Sequence, residues 1–262
     1  MPHEEALVLR ADRADGLTTL TLNRPAQFNS LSQAMLTALQ AELDAIAADP
    51  AVRVVVVAGA GKAFCAGHDL KEMRANHDQE FMQALFRQCG RLMLTITRMP
   101  QPVIARVHGI ATAAGCQLVS MCDLAVAAEV AKFAVSGINV GLFCSTPAVG
   151  LARNLGRKAA LEMLLTGDFI DAQEAKSRGL INRVVPADAL DAEIDRLAGS
   201  ILAKSAVAVR MGKGMFYRQL EMELEEAYDY AAGVMACNMM SEDAGEGIDA
   251  FMQKRAPNYA GR

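Results

Sequence analysis

The run VRVVVVAGAG, residues 52 to 61, limits the choice of fold more than any other stretch. Its valines do not alternate with polar residues, so it cannot be a strand with one wet face, and it is too short for a core helix. It predicts a strand covered on both sides, as in the parallel sheets of α/β proteins. A helix precedes it in SLSQAMLTALQAELDAIAADP, where Ser30 and Gln33 have the spacing of a capping box. Leu36, Leu39, Leu43 and Ile46 then follow at helical intervals, and Pro50 closes the segment. Further upstream, LVLRAD and LTTLTLN flank Asp15-Gly16, a turn pair that predicts a hairpin.

The alternation continues. Residues 78 to 98 read as a helix, PVIARVHGIA as one buried strand, Ala113 to Met121 as a helix, and LAVAAE and KFAVSG as short strands. From Pro147 the chain turns helical, over 147–154, 157–166, 172–178, 188–204, 220–238 and 241–254, with LINRVV as the one strand-like piece. Asp171 with Glu174 starts the third of these helices and Gly179 stops it. The fold class is therefore α/β, with a helical C-terminal region whose methionines, among them Met211, Met235 and Met252, suit a core or a subunit interface.

Charge excludes some functions. Thirty acidic residues against 26 Lys and Arg leave a net charge of −4, with no basic footprint for nucleic acid. No apolar run approaches the roughly 20 residues of a spanning helix, so no membrane insertion is expected. The first residues, with acidic Glu4, Glu5, Asp12 and Asp15, match neither a secretory leader nor a transit peptide, and a cytoplasmic address is the expectation. Six cysteines without a CxxC pair read as small buried hydrophobes, not as a metal site or disulfide frame.

Two stretches can carry chemistry. GAGKAFCAGHDLKEM fits neither a P-loop, for which Val56 and Ala63 are wrong, nor the dinucleotide fingerprint, in which Phe64 takes the third glycine position. What remains is a strand turning through Ala66-Gly67-His68 into a helix near Asp69. Such a turn can aim unpaired backbone N–H groups at an oxygen that gains negative charge. GIATAAGCQL repeats the layout, with a helix under way by Gly115. Two such turns facing one pocket would make a two-donor oxyanion hole; taken singly, each is also a plain tight turn.

LNRPAQFNSLS, GKAFCAGHDLKEM, GIATAAGCQLVSMCDLAVAAEVAKFAVSGINVGLF, LTGDFIDAQEAKSRGLINRVV and FMQKRAPNY occur here in that order. In this the chain resembles the crotonase superfamily, the enoyl-CoA hydratase/isomerase family, over nearly its whole length. The resemblance implies a crotonase spiral of β-β-α units over residues 1–200, and a helical region, 201–262, for oligomerisation and pocket closure. It implies a CoA thioester (acyl-CoA) as substrate, no cofactor, a homotrimer or homohexamer, and a place in fatty acid metabolism. The backbone N–H groups of His68 and Ala114 match the family's oxyanion donors. Arg24, Ala66 and Lys71 match positions near CoA, while Asn139, Cys144 and Ser145 lie on the stretch forming the pocket wall. Ser145, followed by Thr146 and Pro147, also reads as a helix N-cap.

The departures are chemical. The family's two acid-base glutamates correspond to Gln117 and Gly137, and neither an amide nor a missing side chain exchanges a proton near neutral pH. Ordinary hydration is therefore not expected. Two readings follow: an acyl-CoA enzyme of the lyase or isomerase class that uses the oxyanion hole, or a non-catalytic acyl-CoA-binding protein on the same fold.

Overall fold

Leu17–Leu22 runs antiparallel to Val8–Asp12, with Leu20 opposite Arg10 and Leu22 opposite Val8. In the computed structural model, which describes residues 6–262, these strands are β1 (Val8–Asp12) and β2 (Leu17–Leu22), and Gly16 turns the hairpin at φ +91°. Of the acidic N-terminus, Glu4 and Glu5 lie outside the described residues.

Helix α1 (Gln33–Ala47) follows, burying Leu36, Leu39, Leu43 and Ile46 as their spacing requires. Its cap is Ser32, whose hydroxyl accepts from the Met35 N–H, and not Ser30. The reason is tertiary: Leu31 pairs with His68 and Glu72 accepts from Gln33 N, which fixes the chain for two residues beyond the sequence-based cap.

Strand β3 (Val54–Gly59) is the covered strand, with Val54 to Val57 at most 1% exposed. Burying each valine contributes on the order of 1.5–3 kcal/mol. The chain then winds as a spiral, placing one strand in each of two sheets on every turn. β4 (Ala63–Cys65), helices α2 (Leu70–Ala75) and α3 (Gln79–Arg98), β5 (Val103–Val107), β6 (Ile110–Thr112), α4 (Ala114–Met121), β7 (Leu124–Ala128) and β8 (Lys132–Ala134) come in that order. PVIARVHGIA is thus two strands, because Gly109 passes so close to Lys62 that a Cβ there would fall 2.4 Å from its carbonyl oxygen. The chain changes sheet at that crossing.

The C-terminal half holds α5 (Ser145–Asn154), α6 (Arg157–Thr166), β9 (Ile170–Asp171), α7 (Ala172–Ser177), β10 (Arg183–Val185), α8 (Leu190–Leu202), α9 (Ala206–Gln219), α10 (Leu224–Met239) and α11 (Glu242–Met252). Asp171 caps α7 through Glu174 N, and Gly179 follows it in the left-handed region, as the sequence predicts. The larger sheet has the order β1-β2-β3-β5-β7-β10, parallel throughout except for the hairpin. The smaller has the order β4-β6-β8-β9, with β9 antiparallel to β8. This is the spiral of β-β-α units. No helix of the described residues is long and apolar enough to cross a membrane, and no group of three metal-ligating side chains gathers among them.

The C-terminal helices are tied to the core by one buried lysine. Lys213 on α9 donates to the carbonyls of Ile96 and Gln101 and to Asp123 Oδ2, each at 2.7 Å. Asp123 also accepts from Val103 N, at the start of β5, and from the Tyr217 hydroxyl.

Candidate functional site

The two small-residue turns meet. Strand β4 leaves the smaller sheet through Ala66, Gly67 and His68, and the loop before it is held by Asn29, whose amide lies 2.8 Å from the Ala60 and Ala63 carbonyls. Asn29 has φ +55°, which this residue type tolerates better than most. Gly67 sits at φ +89°; a Cβ there would lie 2.8 Å from Ala113 Cβ and 3.1 Å from Ala114 N. Gly115 is pressed as closely on Cys65, whose carbonyl oxygen would lie 2.1 Å from its Cβ. Glycine at these two positions is what lets the turns touch.

Ala113 stands between them at φ +50°, ψ −122°, a conformation that costs a non-glycine residue on the order of 1–3 kcal/mol. Its N–H donates to Ala134 O and its carbonyl accepts from Gln117 N. The twist starts α4 at Ala114, whose N–H belongs to the unpaired first turn of the helix. The bridge between Leu31 and His68 uses Leu31 N, Gly67 O and Asp69 N, leaving the His68 N–H free. Among the described residues neither N–H has an acceptor, and Gly67, next to His68, packs against Ala113 and Ala114.

The other positions predicted from the sequence differ in freedom. Gln117, on the first turn of α4, is 4% exposed and its Oε1 has no hydrogen-bond partner. Gly137 lies in a 3-10 turn, Ser136–Val140, where a Cβ would fall 2.6 Å from Leu142 O and 2.7 Å from Cys144 Sγ. The place where a side chain would leave residue 137 is thus filled by the following loop. Burial pushes the Cys144 thiol up, against a smaller opposing effect of the Gly137 N–H. A hydroxyl pair that sequence reasoning missed, Thr112 Oγ1 and Ser136 Oγ at 2.8 Å, ties the end of β6 to the segment after β8. Each is a lone small polar residue in sequence, so only the pairing of β6 with β8 reveals it.

The His68 imidazole is fixed on two sides. Nδ1 lies 3.2 Å from Leu31 O, which makes it the protonated nitrogen, and the ring meets Phe86 edge-on with centroids 5.4 Å apart. Nε2 is buried without a partner, and burial holds the ring's pKa down against the hydrogen bond to Leu31.

The remaining sequence candidates divide. Arg24 is engaged by the protein: it donates to the Ser30 carbonyl and forms an ion pair with Asp69 at 3.1 Å, while Asp69 caps α2 by accepting from Lys71 N and Glu72 N. That pair ties the segment of Arg24 to the one that carries Ala66 and Lys71. Ala66 donates to Phe28 O, and the Lys71 side chain is exposed. Asn139 is turned toward Gly167, 3.4 Å from its carbonyl, on an exposed stretch. Ser145 is the first residue of α5, not its cap; Cys144 holds the cap position without a side-chain bond, because the Ser145 hydroxyl donates to Phe143 O instead.

The model for the family "Enoyl-CoA hydratase/isomerase" matches residues 12–262. The chain belongs to the enoyl-CoA hydratase/isomerase family. Within it, human enoyl-CoA hydratase domain-containing protein 3, mitochondrial, is 44% identical over 250 residues, covering 95% of this chain and 82% of the relative. Its crystal structure superposes with a TM-score of 0.93 at 43% identity, over 97% of this chain and all of that one. The crystal structure of an enoyl-CoA hydratase from Mycobacterium smegmatis superposes with a TM-score of 0.96 at 60% identity, over 97% and 99% of the two chains. These family members correct one expectation. The human and rat relatives are named as mitochondrial, which overturns the cytoplasmic address; the lack of a leader pattern in the first residues does not fix a compartment.

Proposed function

We propose that this chain binds a CoA thioester and polarises its carbonyl with the His68 and Ala114 N–H groups, stabilising the enolate formed from it. The observation that supports this reading is the close packing of Gly67 on Ala113 and Ala114, beside two N–H groups that find no acceptor among the described residues. A donor of this kind is worth about a hundredfold or more in rate when charge develops on the oxygen it faces. In this reading Arg24, Ala66 and Lys71 meet the CoA moiety, and no cofactor is required. Gln117 orients a ligand group by hydrogen bonding without moving its proton.

Ordinary hydration has no acid-base pair to run on. One such group typically contributes roughly a hundred- to ten-thousandfold, and neither Gln117 nor Gly137 supplies one. The closed wall at Gly137 favours a second reading, an acyl-CoA-binding protein that kept the fold without turnover. Crotonyl-CoA absorbance followed at near-substrate protein concentration tests the first claim. Measurable hydration sinks the statement that these two positions disable the reaction, while calorimetric binding of a non-reactive acyl-CoA without any turnover supports the binding protein.

The assembly proposed with this function is a homotrimer or homohexamer. Leu224, Tyr228, Met235, Met239, Met240 and Phe251 on and beside α10 and α11 expose large apolar side chains that a subunit contact would cover. Light scattering that returns a mass of 28.0 kDa, that of one chain, sinks this part.

A further inference from the structure

Behind the His68 N–H stands a row of hydrogen bonds that begins at a cation. A peptide unit is planar and trans, so its C=O and N–H point in opposite directions. The His68 N–H shares its unit with the Gly67 carbonyl, which accepts from Leu31 N at 2.7 Å, and the donor therefore points away from Leu31. Leu31 N in turn shares its unit with the Ser30 carbonyl, and that oxygen accepts from Arg24 Nη1 at 3.1 Å. The order is guanidinium, Ser30–Leu31 peptide, Gly67–His68 peptide, with the two peptide dipoles head to tail. The Ala114 N–H is backed differently: the Ala113 carbonyl of its unit accepts from Gln117 N inside α4.

The guanidinium is itself held. Its Nη2 lies 3.1 Å from Asp69 Oδ2, Nη1 also reaches Ser30 Oγ at 3.3 Å, and both charged side chains are largely buried. One planar fork thus spans the residue before Leu31 and the residue after His68, a grip that its rigid geometry suits. Hydrogen bonds in a row polarise one another, and a charged donor at the head makes the first of them a strong one. We infer that Arg24 is a positioning residue for the oxyanion turn: through the Ser30–Leu31 and Gly67–His68 peptides it aims the His68 N–H and strengthens it as a donor. This rests on the reading that the His68 N–H meets a thioester carbonyl, and it gives Arg24 a role apart from its contact with CoA.

The test is the infrared band of the thioester carbonyl of butyryl-CoA, isotope-labelled at that carbon and bound at saturation, so that its position does not depend on affinity. The full chain is expected to lower the band below its position in water, and Arg24→Gln to give back on the order of 10–30% of that displacement, the scale on which bonds in such a row strengthen one another. A band that Arg24→Gln leaves unmoved overturns the inference alone. A band that the full chain leaves at its position in water, or no binding by the full chain, overturns the underlying reading and the inference with it. Should Arg24→Gln fail to fold or to bind, the Leu31 amide proton of the full chain decides. As the link that feeds Gly67 O, it is expected to shift downfield on saturation with butyryl-CoA, and an unmoved resonance overturns the inference.

Discussion

Gly137 shows how a single position can close a line of chemistry. In sequence it is a missing glutamate, and replacing it looks like a simple restoration. In the structure Leu142 O and Cys144 Sγ occupy the space into which that side chain would grow. Gly137→Glu is therefore expected to lower stability by about 1–3 kcal/mol or more, because backbone must move to admit it. Crotonyl-CoA hydration is expected to stay absent even in combination with Gln117→Glu. Thermal unfolding and the absorbance assay check both, and a stable, active double variant refutes the closed wall. Ala113 makes the opposite case. Its left-handed φ is a glycine conformation, so Ala113→Gly is expected to raise stability by up to about 1 kcal/mol, read as a shift in the urea midpoint at an unchanged slope.

The elements themselves were largely legible, for identifiable reasons. α1 announced its buried face through Leu36, Leu39, Leu43 and Ile46, and β3 its double cover through four valines. What escaped was fixed by distant partners: the cap at Ser32 depends on Glu72, and the break between β5 and β6 on the passage of Gly109 over Lys62. The site divided the same way. The small-residue turns marked where Gly67 packs against Ala113, but the filled space at Gly137 and the Thr112–Ser136 pair exist only once loops and sheets have folded. Helix α9 was missed as a separate segment, and its Lys213 looks in sequence like any surface lysine. Side-chain exposure of 6% for Lys213 and 13% for Asp123 marks a buried pair. Lys213→Met leaves Asp123 buried without its cation, an expected loss of about 3–5 kcal/mol by chemical denaturation. A loss below 1 kcal/mol shows that the pair is not what holds α9 to the core.

Across the molecule, stability should follow pH in a way set by buried thiols and imidazoles. Burial pushes Cys65, Cys89 and Cys116 up to about 12, and raises Cys122 as well. An unfolded chain releases such protons near pH 8.5 while the native state keeps them, so the native state binds more protons and stability falls as pH rises. The slope is about 1.4 kcal/mol per pH unit for each thiol. On the acid side His68 and His108 are held neutral, so below about pH 6.5 the unfolded chain gains protons that the native state refuses, and stability falls again. Urea midpoints between pH 5 and 10 should trace a dome; a plateau continuing past pH 9 contradicts the burial of the thiols. A thiol reagent at neutral pH should meanwhile titrate Cys237 at once and the other five only on unfolding, since Cys237 alone among the six is exposed.

The lysine that joins α9 to the core also bears on how the chain is made. Asp123 precedes Lys213 by 90 residues. At translation rates of about 5–20 residues per second, roughly 5–18 seconds separate the emergence of the two charges from the ribosome. During that interval β5 and β7 can pair, but the carboxylate between them has no cation to meet it. The nascent core stays open at that point until the C-terminal helices arrive, which makes the half-made chain a client for chaperones and makes a message broken before residue 213 a source of protein that cannot close.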